Sequence, residues 1–211
     1  SGDDAVLRAA GAPVTEGRVR EWMAGVVTGR GAVEVDAIGA PGPQAADPRA
    51  RGEGPLRADE PVVVDVFPRF ASGYHGDATR TFVVGDPAPA VREMHETQVA
   101  ALRAALDAVR AGATGETVHD AACDVVEAAG YETLRTGAEE RGFVHSTGHA
   151  VGLALHEQPR LTTGAGPLPA GAVLTVEPGI YEPGVGAVRT EDMVVVREDG
   201  CENLNEMGYG L

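Results

Sequence analysis

The spacing of apolar positions divides the chain into stretches with a helical period and short runs of β-branched residues. Residues 14–30 place Val19, Trp22, Met23, Val26 and Val27 on one helical face, and Thr15 stands where an N-cap belongs. Gly29 and Gly31 punctuate its end, and residues 32–39 alternate as a strand does. Residues 39–55 are rich in Gly, Pro and Ala, the composition of a long ordered loop. Residues 62–67 form an apolar run typical of a buried strand, interrupted only by Asp65, and residues 78–84 predict a second strand after the Gly73-Tyr74 turn. Residues 89–110 are the longest helical stretch, with Val91, Met94, Val99, Leu102, Leu106 and Val109 as its stripe. Thr114 introduces another helix that runs to about Ala129 and is closed by Gly130. Beyond Phe143 short strands are expected around 150–155, 172–177 and 192–197, separated by Gly/Pro loops at 162–171 and 182–187.

The order helix, strands, helices, strands implies the α+β class, with two similar halves in which helices cover a curved antiparallel sheet. Residues 14–211 are expected to form one domain, with residues 1–13 an N-terminal segment or linker remnant. With 211 residues, 43% of them hydrophobic and 23% charged, the chain falls in the ordinary soluble globular class. No apolar run approaches the roughly 18 residues of a membrane span, and Ser1-Gly-Asp-Asp does not begin a signal peptide. The net charge of −15, with all 17 basic residues Arg, argues against nucleic acid and against anionic membranes as partners. Cys123 sits in an apolar, helical stretch far from Cys201, which favours reduced thiols and a cytoplasmic setting.

Some of the acids stand where solubility does not require them. Asp65 interrupts an otherwise apolar strand, where an unpaired carboxylate would cost several kcal/mol. Asp77 opens the next strand, and a hairpin would bring both carboxylates to one end of the sheet. Taken singly, each has a plain structural role open to it, Asp77 capping the turn and Asp65 bonding to backbone. His145, His149 and His156 fall within twelve positions and are flanked by glycines that permit close backbone approach. Their spacing is not that of a helical His-Glu-x-x-His zinc site. Glu177 precedes Pro178, which cannot donate to a sheet ladder, so Glu177 is expected at a strand end facing a cavity. Glu191 and Asp192 compete for the second such position, and alternation alone does not choose between them. Four strand-borne carboxylates and one His form an oxygen-rich set, suited to a pair of Mn²⁺, Co²⁺, Fe²⁺ or Zn²⁺ ions. Without metal, those carboxylates would repel strongly.

These segments, DVFPRFASGYHGDATRTFVVG, HSTGHAVGLALHE, TVEPGIY and VRTED, resemble the pita-bread metallopeptidases, specifically prolidase and aminopeptidase P. The resemblance covers residues 14–211, including the closing NLNEMGYGL, so a natural C-terminus is expected. It implies the pita-bread fold and two divalent ions, Mn²⁺ first, with Co²⁺, Zn²⁺ or Fe²⁺ as alternatives. Its metal ligands are implied to be Asp65, Asp77, His149, Glu177 and Glu191, which selects Glu191 over Asp192. Asp65 would chelate one ion, Asp77 and Glu191 would bridge, and His149 and Glu177 would complete the second ion's shell. Glu177 would also move the proton of a bridging hydroxide that attacks the peptide carbonyl. His145 and His156 would act on the substrate carbonyl, and Arg189 would stand beside the last ligand as a substrate-pocket residue and a salt-bridge partner of the ligand carboxylates.

The implied activity is hydrolysis of Xaa-Pro peptides or dipeptides. The implied partners are short proline-containing peptides, with a homodimer left open. Such peptidases usually carry a further N-terminal domain, so the chain is expected to be either a catalytic-domain fragment or a short natural protein. Two positions depart from the pattern. The Asp65–Asp77 interval is one residue longer than the family's common form, for which a bulge or longer turn through Phe67-Pro68-Arg69 is expected. Arg49 stands where the family has a pocket His, and an always-charged guanidinium cannot shuttle protons, although it can bind a carboxylate or carbonyl. Arg49 therefore supports an alternative, a pita-bread domain that serves as a binding module or hydrolyses a non-peptide amide.

Overall fold

The computed structural model describes residues 5–136 and 139–211. Near the N-terminus β1 (Arg8–Ala9) pairs with β2 (Ala12–Pro13). Helix α1 (Glu16–Thr28) starts where the sequence predicts, with the Thr15 hydroxyl accepting from the Arg18 amide. It leads into β3 (Ala32–Pro41), which is followed by a 3₁₀ turn at Gly42–Ala46. Strands β4 (Val62–Phe70) and β5 (Ala78–Phe82) complete an antiparallel sheet in the order β3-β4-β5. The long Asp65–Asp77 interval is absorbed by a longer hairpin rather than a bulge. The Gly76 amide donates to the Pro68 carbonyl and the Phe70 amide to the Tyr74 carbonyl, and Arg69 bridges to His75.

Helices α2 (Pro89–Ala108) and α3 (Gly115–Ala128) open the second half, and the Thr114 hydroxyl caps α3 by accepting from the Thr117 amide. There follow β6 (Leu134–Thr136), β7 (Glu139–Arg141), β8 (Gly148–Ala150), β9 (Glu157–Leu161), β10 (Val173–Val176), β11 (Gly179–Glu182), β12 (Gly186–Arg189), β13 (Asp192–Arg197) and β14 (Gly200–Asn203). Five of these strands make a sheet in the order β14-β13-β10-β8-β9, while β11 and β12 form a separate hairpin. The two larger sheets meet where the Glu191 amide donates to the Thr79 carbonyl.

The main core lies between α2, α3 and the five-stranded sheet, where Leu102, Val118, Leu174 and Val194 are fully buried. Burying side chains of this size is worth about 1.5–3 kcal/mol each, so this half of the molecule carries most of the hydrophobic stabilisation. Three expectations are corrected. The strand expected at 150–155 ends at Ala150, and residues 152–156 are bends before β9 starts. The loop expected at 182–187 is instead a tight connection within the β11–β12 hairpin. The apolar stripe of α1 is not buried: Trp22 and Val26 are exposed, and Val19, Met23 and Val27 only half-buried.

Candidate metal centre

Each half brings acids to the seam between the sheets. Asp65 lies on β4 opposite Thr79 of β5, and Asp77 directly precedes β5. Glu177 follows β10, Glu191 precedes β13, and His149 is the middle residue of β8. Ligand atoms of Asp77, His149 and Glu191 all lie within 4.8 Å of one another. The His149 Nε2 is 3.4 Å from Glu177 Oε1 and 3.8 Å from Asp77 Oδ2. Its Nδ1 lies 3.0 Å from the Ala150 carbonyl oxygen, which assigns the proton to Nδ1 and leaves Nε2 as a free lone pair toward the acids.

Asp65 joins the group through Arg189, whose Nη2 donates to Asp65 Oδ2 at 2.6 Å. The Arg189 Nη1 donates to the Tyr181 hydroxyl at 2.9 Å, and Nε reaches Thr79 Oγ1 at 3.4 Å. Thr79 in turn donates to Glu191 Oε2 at 2.6 Å. The other Asp65 oxygen, Oδ1, is buried without a hydrogen-bond partner. A buried carboxylate oxygen left in that state is costly, and a divalent cation satisfies it.

The electrostatics point the same way. Burial, then the charges of Asp65 and Glu177, push the Asp77 carboxyl up to about 9. Burial pushes Glu177 up to about 7 against the pull of Arg189, and burial with Asp77 and Glu177 raises Glu191 well above the carboxylate range. Asp65 is also raised by burial, with Arg189 opposing. Burial lowers His149 to about 4, so its ring is neutral and able to ligate at working pH. Four acids that resist ionising together, beside a neutral imidazole, form a donor set whose charge only a cation balances. The residues present fit a divalent metal.

A cavity of about 230 Å³ opens over this centre, lined by Arg49, His145, His149, His156, Arg160, Glu177 and Arg189 among others. The His156 ring stands edge-on to His149 with centroids 4.4 Å apart. His145 has both ring nitrogens engaged: Nδ1 lies 2.8 Å from the Ser146 carbonyl oxygen, and Nε2 is 2.9 Å from the Tyr181 hydroxyl. Burial and the nearby Arg189 lower His145 to about 3, so it is neutral. Arg49 reaches the mouth of the cavity with its side chain 74% exposed and bonded to Glu140 at 2.7 Å. Asp192, the competitor of Glu191, turns to the opposite side, where it accepts from Arg80, Asn203 and Tyr209 at 2.6 Å each.

Residues 3–198 match the family model described as Metallopeptidase family M24. The chain belongs to this family. It is 38% identical over 200 residues to the "Probable dipeptidase PepE" of Mycobacterium tuberculosis, covering 93% of this chain and 51% of that protein. Among solved structures, an X-Pro aminopeptidase from Thermotoga maritima superimposes with a TM-score of 0.87 at 32% identity, covering 97% of this chain and 56% of that one. The prolidase from Pyrococcus furiosus gives 0.85 at 32%, covering 93% and 57%. The architecture is the pita-bread fold of those M24 structures. The chain spans about half the length of the curated relatives it matches.

Within this M24 site, four residues escaped the reading of the sequence: Thr79, Thr175, Tyr181 and Arg160. Thr79 sits two residues beyond Asp77 on the same strand face, and Tyr181 closes the TVEPGIY segment, so both carried a positional signal. Thr175, which donates to Glu177 Oε1 at 3.3 Å, lies two residues before it in the same way. Arg160 carried none, because its place opposite His149 depends on a register shift between β8 and β9.

Proposed function

We propose that residues 14–211 are the catalytic unit of a two-metal Xaa-Pro peptidase that releases the N-terminal residue from dipeptides and short peptides with proline second. The observation that supports this reading best is the grouping of Asp77, His149 and Glu191 ligand atoms within 4.8 Å of one another, with Glu177 3.4 Å from His149 and Asp65, its Oδ1 unpartnered, tied in through Arg189. Asp65, Asp77, His149, Glu177 and Glu191 are the residues that would hold the ions. Mn²⁺ is the first choice, with Co²⁺, Zn²⁺ or Fe²⁺ as alternatives. Bound ions would supply a nucleophile from water near neutral pH and stabilise charge on the carbonyl oxygen under attack.

The chain's own residues supply the rest. Glu177, steadied by Thr175, is the carboxylate placed to take and return a proton. His156 offers an imidazole at the cavity wall to the substrate carbonyl, while His145, held by the Ser146 carbonyl and the Tyr181 hydroxyl, shapes the substrate pocket. Arg189 is chiefly a positioning residue, because Asp65, Tyr181 and Thr79 already take its donors, and its face toward the cavity completes the substrate wall. Arg49 and Arg160 give the mouth a positive rim suited to the free carboxylate of a dipeptide. The two free cysteines suit a reducing, cytoplasmic setting.

Hydrolysis of Ala-Pro, Leu-Pro and Met-Pro by protein reconstituted with Mn²⁺, Co²⁺ or Zn²⁺ tests the proposal. The expected result is turnover that a chelator abolishes and that Glu177→Ala lacks. No turnover across the panel with any of the three metals sinks it. Arg49 supports a second reading, a binding module, for which fewer than one ion per chain at saturating metal would be the deciding result.

A further inference from the structure

Residues 143–147 carry His145 and lead into His149, yet they form bends rather than a strand, so individual bonds must hold them. Thr147 is where those bonds converge. Its amide donates to the Leu161 carbonyl of β9 at 2.8 Å, and its carbonyl accepts the Glu177 amide beyond β10 at 2.7 Å. Its hydroxyl lies 2.8 Å from His119 Nδ1 on α3. The three bonds reach three different elements, and Thr147 is 0% exposed. Two of them are backbone bonds that the identity of the side chain does not decide. The third requires His119 and Thr147 themselves.

Helix α3 is built to come close to this segment. At Gly115 a Cβ would meet the Arg160 carbonyl oxygen at 2.1 Å, so glycine is what lets α3 sit this near β9. Val118, Ala122 and Val126 share the buried face of α3, and His119 stands among them as a buried polar side chain, 3% exposed. A polar group in such a place costs stability unless it is bonded, and an apolar residue would fill the same space without that cost. Both ring nitrogens are engaged, because Nε2 lies 3.6 Å from the Cys123 sulfur one turn further along the helix. The His119 ring also leans on Phe143 with centroids 5.6 Å apart, and Phe143 stands edge-on to His145 at 5.2 Å. His119 therefore touches both ends of the 143–147 segment.

We propose that His119 is a positioning residue of the metal centre, an inference that rests on the reading of His149 and Glu177 as metal ligands. Its bond to Thr147 and its ring contact with Phe143 fix the bends that place His145 and His149. The same bond fixes the Thr147 carbonyl that anchors the Glu177 amide. Thr147 lies two residues from both His145 and His149, so a small rotation there moves both imidazoles and Glu177 together. Metal affinity falls when ligands are no longer held in place by the groups behind them. Either tautomer of His119 serves, because the Thr147 hydroxyl and the Cys123 thiol can each donate or accept.

Calorimetric titration of Mn²⁺ into metal-free protein tests this without reference to turnover. His119→Leu fills the space but leaves the Thr147 hydroxyl unpaired, and is expected to weaken Mn²⁺ binding about tenfold or more. His119→Asn puts an amide where Nδ1 stands and is expected to recover most of that loss. His119→Gln, whose amide reaches toward Cys123 instead, is not. Val126→Ala makes a cavity on the same helix face and controls for loosened packing: it should lower the metal-free Tm with Mn²⁺ affinity within twofold of wild type. Should His119→Leu fail to fold, Thr147→Val removes the other end of the same bond and should show the same loss. Affinity within twofold of wild type in folded His119→Leu or Thr147→Val would overturn the inference while the metal reading stands. So would a loss in Val126→Ala equal to that in His119→Leu, or no recovery in His119→Asn, either of which would mark general loosening. A wild-type chain that takes up no divalent ion overturns the metal reading, and this inference with it.

Discussion

At the scale of single residues, the neighbours Glu191 and Asp192 show how one step along a strand separates two kinds of chemistry. Alternation sends their side chains to opposite faces. Glu191 enters the acid cluster, while Asp192 is fully buried under Arg80, Asn203 and Tyr209. Asp192→Asn leaves Arg80, 5% exposed, without its counter-charge, and breaking a buried pair costs about 3–5 kcal/mol. We expect a large drop in urea midpoint with metal stoichiometry unchanged. Glu191→Gln should do the reverse, keeping or raising the stability of the metal-free protein while weakening Mn²⁺ binding by about a hundredfold or more, measured by calorimetry. The choice between these acids was not legible in strand alternation, because either face could have been the inner one, and only the family resemblance of the VRTED segment made it. The partners that decide it, Thr79 and Arg80, lie more than a hundred residues away in the chain. Arg49→Ala is a milder change. It removes an exposed cation from the cavity mouth, and should raise KM for dipeptides severalfold with kcat within twofold, because its guanidinium bonds Glu140 rather than the acid cluster.

Among the elements, those with long periodic patterns were readable from the sequence and those held by glycine were not. Helices α2 and α3 and strands β4, β5, β10 and β13 lie close to where apolar period, caps and β-branched runs put them. Strands β6, β7, β8, β11 and β12 have only three or four residues each, too few to show alternation, and β8, β11 and β12 each begin with a glycine. Gly148 shows the reason physically. A Cβ at this position would meet the Thr175 carbonyl oxygen at 2.0 Å, so β8 approaches β10 this closely only because the residue has no side chain. The same approach sets the place of His149. Gly148→Ala should therefore shift β8 off β10, destabilise the fold by about 1–3 kcal/mol, and weaken metal binding as well. Circular dichroism melts and metal titration of the variant check both effects, and an unchanged metal affinity would separate the strand spacing from the site.

For the whole molecule, the acid cluster makes stability depend on pH in a direction opposite to that of ordinary ion-paired carboxylates. Asp77 moves from an ordinary 3.8 to about 9 on folding, and Glu177 from 4.5 to about 7. A raised carboxyl binds its proton more tightly in the folded state, so its contribution is full below the unfolded value and is lost as pH rises through the folded one. Metal-free protein should therefore melt at progressively lower temperature between about pH 4 and 9. Saturating Mn²⁺ should remove that slope and add about 2.7 kcal/mol at a hundredfold excess over Kd. A metal-free Tm that rises across that range would contradict the assignment.

The seam where Glu191 meets Thr79 also holds a shared apolar cluster of Ala40, Ala45, Val63, Tyr181 and Ala187, and the donor atoms are divided across it: Asp65 and Asp77 on one side, His149, Glu177 and Glu191 on the other. An ion held there would work as a rivet, closing the intervening chain into a loop and denying each half the freedom to open alone. Metal content then becomes a mechanical property of the molecule. Loaded protein would come apart as one body, and stripped protein would yield first on the side of the half-covered helix α1.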